Sequence, residues 1–316
     1  MKTFLEDLKN ELVKMQVSED KIKEIISDME EMITSAKEEG ISDEELKAKL
    51  GNPQKLALDL AEIEPKEEKP YDETEKDTVY AFDPIGDHVS ILTKLLNDDI
   101  TYTSVDSTLI RVIIKNRKHD QKFNISYENQ LLKIDTGMRK TMFFGFSFGH
   151  DASSVFIEIP KTLNIHEIKN SVVNGDVLVQ SLVCLSLNFN ATEGDLEIRD
   201  VHFQDGHIHT VNGDVEMTKT KAKMLHVNTV SGDVKLEHTQ IEQDLTISTV
   251  SGDFEAKESQ TDNLYFHTIS GDGDGKEFYI KKLSFDSISG DFTLHNSRKE
   301  PIEILRKKSL SGDINI

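Results

Sequence analysis

The chain has 316 residues, a formal net charge of −21 and a single cysteine. This length accommodates about two domains, or one long repeat array with an appendage. The excess of carboxylates argues against nucleic-acid binding and against direct adsorption to an anionic lipid surface, and one cysteine excludes an intramolecular disulfide and a cysteine-based zinc site.

The same sequence predicts where the protein resides. No run of 18 apolar residues occurs, and the first residues lack the uninterrupted apolar stretch of a signal peptide. We therefore expect a cytoplasmic protein without a transmembrane segment, in which any contact with the envelope goes through a partner or a peripheral patch. Cys184 lies in the alternating apolar run LVCLSL, which predicts a buried strand cysteine.

Residues 1–64 are predicted to form a small bundle of four short helices. Apolar residues of the first two helices recur at three- and four-residue spacing, so each has one apolar face. Ser42 and Glu45 have the spacing of a capping box at the start of the third helix. Asn52 is the predicted N-cap of the fourth, and Pro53 occupies its first turn, where a missing N–H costs nothing.

The helical segment resembles a known bacterial module. The carrying motifs are FLEDLKNEL and SDEELKAKLGNPQKLALDL, which are similar to the HAAS signalling domain and its Gly–Asn–Pro helix junction. The resemblance implies a helical module of regulatory membrane or adaptor proteins, and not a catalyst.

After the helices, residues 65–84 read as an acidic linker and residues 85–316 as a β-strand domain. The linker is rich in Pro, Glu and Lys, with little to bury. From 85 to 170, short alternating runs such as LIRVIIK and SVFIEIP predict strands separated by polar turns. Regular repeats begin at about 171.

The repeat is a Gly–Asp turn that returns about every 19 residues. Such a period with strand-like alternation predicts a β-solenoid of the parallel β-helix type, with one coil per repeat. We expect the Gly–Asp pairs to be structural turns; they are Gly175 and Asp176, Gly194 and Asp195, Gly213 and Asp214, Gly232 and Asp233, Gly252 and Asp253, Gly271 and Asp272, Gly290 and Asp291, and Gly312 and Asp313.

Each column of the aligned coils has a predicted role. Four columns of apolar residues are predicted to face inward, those seven and five before the glycine and those two and four after it. The column two before the glycine, from Val211 to Leu310, is also predicted to face inward. The glycine is predicted to adopt a positive φ, and the aspartate to accept hydrogen bonds from turn N–H groups. The alternative is that the stacked carboxylates bind calcium to relieve their repulsion.

The strand domain resembles the toast-rack family of adhesin-like bacterial repeat domains. The motifs that carry the resemblance are IEIPKTLNIHEIKNSVVNGDVLV and the repeats that follow it. HAAS-like helices ahead of such a domain resemble proteins of bacterial envelope-stress signalling. The family supplies no catalytic residues to carry over.

A histidine cluster is a candidate metal site. His207 and His226 share one outward column of neighbouring coils, and His209 lies two residues along the same face. Three imidazoles so placed could hold zinc, whereas the alternative is a solvated polar column. We expect no metal and no other cofactor.

A phenylalanine-rich segment, TMFFGFSFGH, is the candidate interaction segment. Its aromatic residues are Phe143, Phe144, Phe146 and Phe148. The segment either folds over the open end of the solenoid or presents an aromatic patch to a partner.

No nucleophile elbow, P-loop, zinc-protease or dinucleotide motif occurs, so no catalytic residue is predicted. The sequence favours a non-enzymatic scaffold or signalling adaptor, whose helices contact a membrane or regulatory protein and whose solenoid is a rigid binding surface. The alternative is a surface-exposed, adhesin-like module for a glycan, a peptide or a cationic ligand. The edge of the last coil is a further candidate for pairing with a second copy.

Overall fold

The computed structural model describes residues 2–15, 17, 19, 22–23, 25–27, 29–30, 33, 42–50, 52–61, 77–116, 122–136 and 153–316. These residues form two units, one helical and one of strands, each with its own apolar core. No helix of the described residues is long and apolar enough to span a bilayer.

The helical unit contains α1 (Lys2–Lys14), α2 (Asp43–Leu50) and α3 (Pro53–Ala61). The apolar face predicted for α1 is buried, with Leu8 and Leu12 fully enclosed. The predicted cap of α3 is present, since the Gln54 N–H donates to Asn52 Oδ1 at 2.8 Å.

The predicted second helix is described only in part. Its residues Ile22, Ile25, Met29 and Ile33 are helical and buried against the same core. The rest of that prediction lies outside the described residues, as does the side chain of Glu45.

The second unit consists of 19 strands in the described residues. They are β1 (Thr78–Phe82), β2 (His88–Leu95), β3 (Asp99–Val105), β4 (Ile110–Lys115), β5 (Phe123–Glu128), β6 (Leu131–Thr136), β7 (Ser154–Pro160), β8 (Asn164–Asn174), β9 (Val177–Glu193), β10 (Leu196–His209), β11 (Val215–Thr218), β12 (Lys221–Asn228), β13 (Val234–Glu237), β14 (Gln240–Ser248), β15 (Phe254–His267), β16 (Gly273–Asp286), β17 (Phe292–His295), β18 (Glu303–Lys308) and β19 (Ile314–Asn315).

The strand β1 begins at Thr78, within the range predicted as linker. It pairs antiparallel with β4, which pairs antiparallel with β7, and β5 pairs antiparallel with β6. From β8 onward the described pairings are parallel, so the repeat region is wound in one direction.

The register confirms the predicted solenoid of about eight coils. Leu196 pairs with Val177 and Ile208 with Phe189, each 19 residues apart. Four of the five columns predicted to face inward are buried, those seven and five before the glycine and two and four after it, and the large aromatic side chains at their C-terminal end pack on one another. Phe266, for example, lies with its ring centre 5.7 Å from that of Phe254 and 5.7 Å from that of Phe285.

Candidate functional site

Each later corner of the solenoid is closed by a hydroxyl side chain three residues before the glycine. The Gly232 N–H donates to Thr229 Oγ1 at 3.0 Å, and the Gly290 N–H donates to Ser287 Oγ at 2.6 Å. Five residues of this column are at most 8% exposed, namely Thr210, Thr229, Thr249, Thr268 and Ser287, and Ser309 at the Gly312 corner is half-buried. The hydroxyl thus satisfies a glycine amide that the corner removes from water.

The corner glycines are required by the close approach of neighbouring coils. A Cβ on Gly252 would lie 2.0 Å from the carbonyl oxygen of Gly232, and a Cβ on Gly271 would lie 2.0 Å from that of Gly252. Of the eight corner glycines only Gly194 has a positive φ. The predicted positive φ is therefore wrong for the other seven. Glycine is required at these corners for a different reason: the stacked backbones leave no room for a side chain.

The aspartates form a continuous hydrogen-bonded column. The Asp233 N–H donates to Asp214 Oδ1 at 2.8 Å, and the Asp253 N–H donates to Asp233 Oδ1 at 2.9 Å. The same bond recurs at every corner from Asp176 to Asp313. Each carboxylate therefore holds the backbone of the next coil.

The column begins one coil earlier than the Gly–Asp pattern indicates. Asp99 Oδ1 accepts the Asp176 N–H at 3.0 Å, and a Cβ on Gly175 would lie 2.4 Å from the carbonyl oxygen of Asp98. Asp98 and Asp99 thus occupy the places of the glycine and the aspartate. The sequence signal for this extra corner is the similarity of NDDI at 97–100 to NGDV at 174–177. The Gly–Asp pattern does not detect it because the glycine is absent.

The residues two before the glycine face solvent, which corrects the prediction that they face inward. We call this column the aliphatic row; it comprises Val211, Val230, Val250, Ile269, Ile288 and Leu310. Val230 is 41% exposed and Ile288 48%, whereas Val211, the first of the row, is half-buried. The reversal follows from the adjacent hydroxyl column: because the threonine must turn inward to reach the glycine amide, the next residue must turn outward.

Hydrogen bonds between coils hold the aliphatic row in register. The Ser251 N–H donates to the Val230 carbonyl at 3.0 Å, and the Ser270 N–H donates to the Val250 carbonyl at 3.0 Å. At the strand spacing of ~4.8 Å, six such side chains form an apolar stripe about 24 Å long. The stripe is built on fixed corners and bordered by the aspartate column.

The structure brings two of the three candidate histidines together. The rings of His207 and His226 stack with their centres 5.1 Å apart, while His209 lies beside Asn228 in the register. Among the described residues, no three His, Cys, Asp or Glu side chains are grouped so that they could hold one metal ion. The arrangement is that of a polar outward column.

Two other predicted features have different outcomes. Cys184 is buried as predicted, and burial raises the pKa of its thiol to about 12, so it is not a reactive nucleophile. The candidate interaction residues Phe143, Phe144, Phe146 and Phe148 lie outside the described residues.

A second corner, which sequence reasoning missed, has one non-glycine residue per coil in the left-handed region. These residues stand six positions after the corner glycines; they are Ser181, Asp200, Lys219, His238, Glu258 and Glu277, with φ between 48° and 53°. The only signal was a polar residue at a constant offset, since the column has no common residue type.

The parallel coils, the interlocked corners and the exposed aliphatic row define a solenoid repeat protein of the binding and signalling class. The Toastrack DUF4097 family model matches residues 88–262 and 242–316, and the chain belongs to this family. The HAAS family model matches residues 3–59. Both resemblances inferred from the motifs are thereby confirmed.

The solved structures that are similar to this chain are distant from it in sequence. A candidate lipid-binding protein from Parabacteroides distasonis is 15% identical, with a TM-score of 0.53 over 77% of this chain and 97% of its own. Candidate adhesins from Bacteroides fragilis and Parabacteroides merdae are 13% and 12% identical, with TM-scores of 0.44 and 0.43, over 77% of this chain and 98% and 97% of theirs. At 15% identity, the likeness to the structure from Parabacteroides distasonis shows a shared fold and no shared function. No curated protein matches the chain.

Proposed function

We propose that the protein is a non-enzymatic adaptor of the bacterial cell-envelope stress response. Its helical unit contacts a regulatory or membrane protein, and its solenoid is a rigid surface that binds a protein partner through the aliphatic row. The HAAS and Toastrack matches support the signalling part of this proposal.

The observation that carries the proposal is the exposure of the aliphatic row. Contiguous apolar residues on a surface mark interaction sites, whereas scattered ones do not. The backbone groups of the row are bonded between coils, so the row itself offers apolar contact, while exposed serines and aspartates flank it. A glycan requires hydrogen-bond partners, so the row is better suited to an aliphatic strip on a protein.

The test is in-cell crosslinking of the full-length protein, followed by mass spectrometry. The double variant Val250→Asp and Ile269→Asp places two charges in the middle of the row, and we expect it to lose the partner captured by the wild type. The matched control is Gln243→Asp and Gln260→Asp, which adds the same charge at exposed positions elsewhere on the solenoid.

A third variant separates the role of the helices. Val13 is 56% exposed on α1, and Val13→Asp is expected to reduce capture of the regulatory or membrane protein. Equal capture by wild type, row variant and helix variant would contradict the adaptor proposal. Cleavage of the protein by a protease, or its labelling by a biotin reagent, when either is added to the outside of intact cells would favour the adhesin-like alternative.

A further inference from the structure

The last coil is a basic end on an acidic protein. Residues 298–308 contain five Lys or Arg and two Glu, a net charge of +3, in a chain whose net charge is −21. All five cations are exposed; they are Arg298, Lys299, Arg306, Lys307 and Lys308. This segment therefore has the opposite sign from the molecule as a whole, while Asp291 and Asp313 lower the net charge of residues 291–313 to +1.

A cation stands in a column that is apolar in the preceding coils. Lys307 is five residues before Gly312 and pairs in register with Phe285, which is fully buried. The same position holds Ile247 and Phe266 in earlier coils. Another coil with an apolar residue at this position would bury the Lys307 ammonium group, so the lysine ends the stacking of the inner column.

Aliphatic residues of the same end stand at repeat positions, since Leu305 is seven residues before Gly312 and Ile316 four after it. Every residue of β18 is exposed. Large aliphatic side chains are interspersed with the cations: Leu305 is 45% exposed, Leu310 84% and Ile316 57%. The repeat thus leaves exposed apolar groups beside the cations at this end.

The charges of this end are only partly neutralised. Arg306 Nε lies 2.9 Å from Asp286 Oδ1, and the Arg298 guanidinium lies over the Tyr279 ring. Lys307 and Lys308 make no ion pair with the residues that the structure describes. Their ammonium groups are available to an external anion.

We propose that the last coil binds an anionic lipid surface. Exposed aliphatic side chains enter the boundary between headgroups and acyl chains, while Lys307 and Lys308 meet lipid phosphates. The acidic remainder of the chain is repelled by the same surface, which confines contact to this end. Pairing of two such ends is disfavoured by like charges on facing strands.

The test is flotation of the full-length protein with vesicles of phosphatidylglycerol and phosphatidylcholine, compared with phosphatidylcholine alone. We expect binding only to the anionic vesicles, weakening as salt is added. Lys307→Gln with Lys308→Gln is expected to weaken binding by about tenfold or more. The matched control, Lys221→Gln with Lys223→Gln, removes two exposed lysines elsewhere on the solenoid and should leave binding unchanged.

Two further variants separate lipid contact from loss of structure. Lys307→Arg with Lys308→Arg preserves both charges and should preserve binding, and Leu305→Ser with Ile316→Ser, both outside the aliphatic row, should weaken it at unchanged charge. Failure of the wild type to float with anionic vesicles, or equal losses in the end and control lysine variants, would overturn the proposal. Loss of a crosslinked protein in the end variant, without vesicle binding, would assign this surface to a protein instead. The proposed adaptor function would stand in each of these cases, because it rests on the aliphatic row.

Discussion

The aspartate after each corner glycine is subject to two opposing effects. Two carboxylates separated by ~4.8 Å repel by about 1 kcal/mol in water. A hydrogen bond from a backbone N–H to a charged acceptor contributes about 1.5–3 kcal/mol. Since each carboxylate accepts one such bond from the next coil, the bond outweighs the repulsion between neighbours.

The two effects can be separated at Asp233. Asp233→Ala removes the acceptor of the Asp253 N–H, and we expect a loss of about 1–2 kcal/mol in the free energy of unfolding. Asp233→Asn keeps an oxygen acceptor and removes a charge, and is expected to change it by less than about 0.5 kcal/mol. Urea denaturation measures both, and equal losses would show that the charge, not the acceptor, is what matters.

The corner glycines permit a sharper test of the packing between coils. Gly252→Ala places a Cβ 2.0 Å from the Gly232 carbonyl oxygen, so the coils must move apart. We expect a loss of about 2–4 kcal/mol in the free energy of unfolding. The neighbouring exposed residue is the control, since Ser251→Ala should cost no more than about 0.5 kcal/mol. A tolerated alanine at 252 would mean that the corner adapts and that the stacking is not rigid.

At the scale of whole elements, the sequence was sufficient for the solenoid but not for every face of its strands. The inner columns were predictable because alternation and a 19-residue period agree. The corner was not, because Thr229 and Val230 are both β-branched and hydropathy placed the valine inside. Which of the two faces inward is decided by the Gly232 N–H, which needs an acceptor and finds it in the threonine hydroxyl.

The coils before the regular repeats were less predictable for a different reason. Their antiparallel partners are set by contacts distant in sequence, such as Thr78 with Ile114, which leave no periodic signal. The Asp98–Asp99 corner performs the repeat's function without its glycine. The exposure of the aliphatic row, the main candidate surface, is thus explained by the hydrogen bonds of the corner and could not be predicted from composition.

The aromatic inner column should dominate the stability of the C-terminal coils. Phe266 is fully buried between Phe254 and Phe285, so Phe266→Ala is expected to cost about 3–5 kcal/mol. Phe266→Leu keeps most of the apolar volume and should cost less than half as much. Because coils contact only their neighbours, hydrogen exchange should rise in β14 to β17 first. Uniform acceleration over the whole strand unit would contradict this local response.

For the molecule as a whole, the net charge of −21 makes unfolding sensitive to ionic strength. Repulsion is most continuous in the aspartate column, where like charges stand one strand apart at every corner from Asp176 to Asp313. At 1 M salt the screening length is about 3 Å, shorter than the ~4.8 Å between neighbouring carboxylates. Added NaCl should therefore raise the free energy of unfolding of the wild type, by about 1 kcal/mol or more.

The source of that salt effect is testable with two variants of equal net charge. Asp233→Asn with Asp253→Asn removes two neighbouring charges of the column, while Glu128→Gln with Glu242→Gln removes two exposed charges outside it. Urea denaturation across a series of NaCl concentrations should show a clearly smaller salt dependence for the column variant than for the control. Identical dependences would mean that the net charge, and not the stacking of the aspartates, governs the response. A reduced salt dependence in the column variant alone would instead show that the stacked carboxylates of the corners are the main source of the repulsion. At those corners the repulsion is opposed by the hydrogen bonds that backbone N–H groups donate to the same carboxylates.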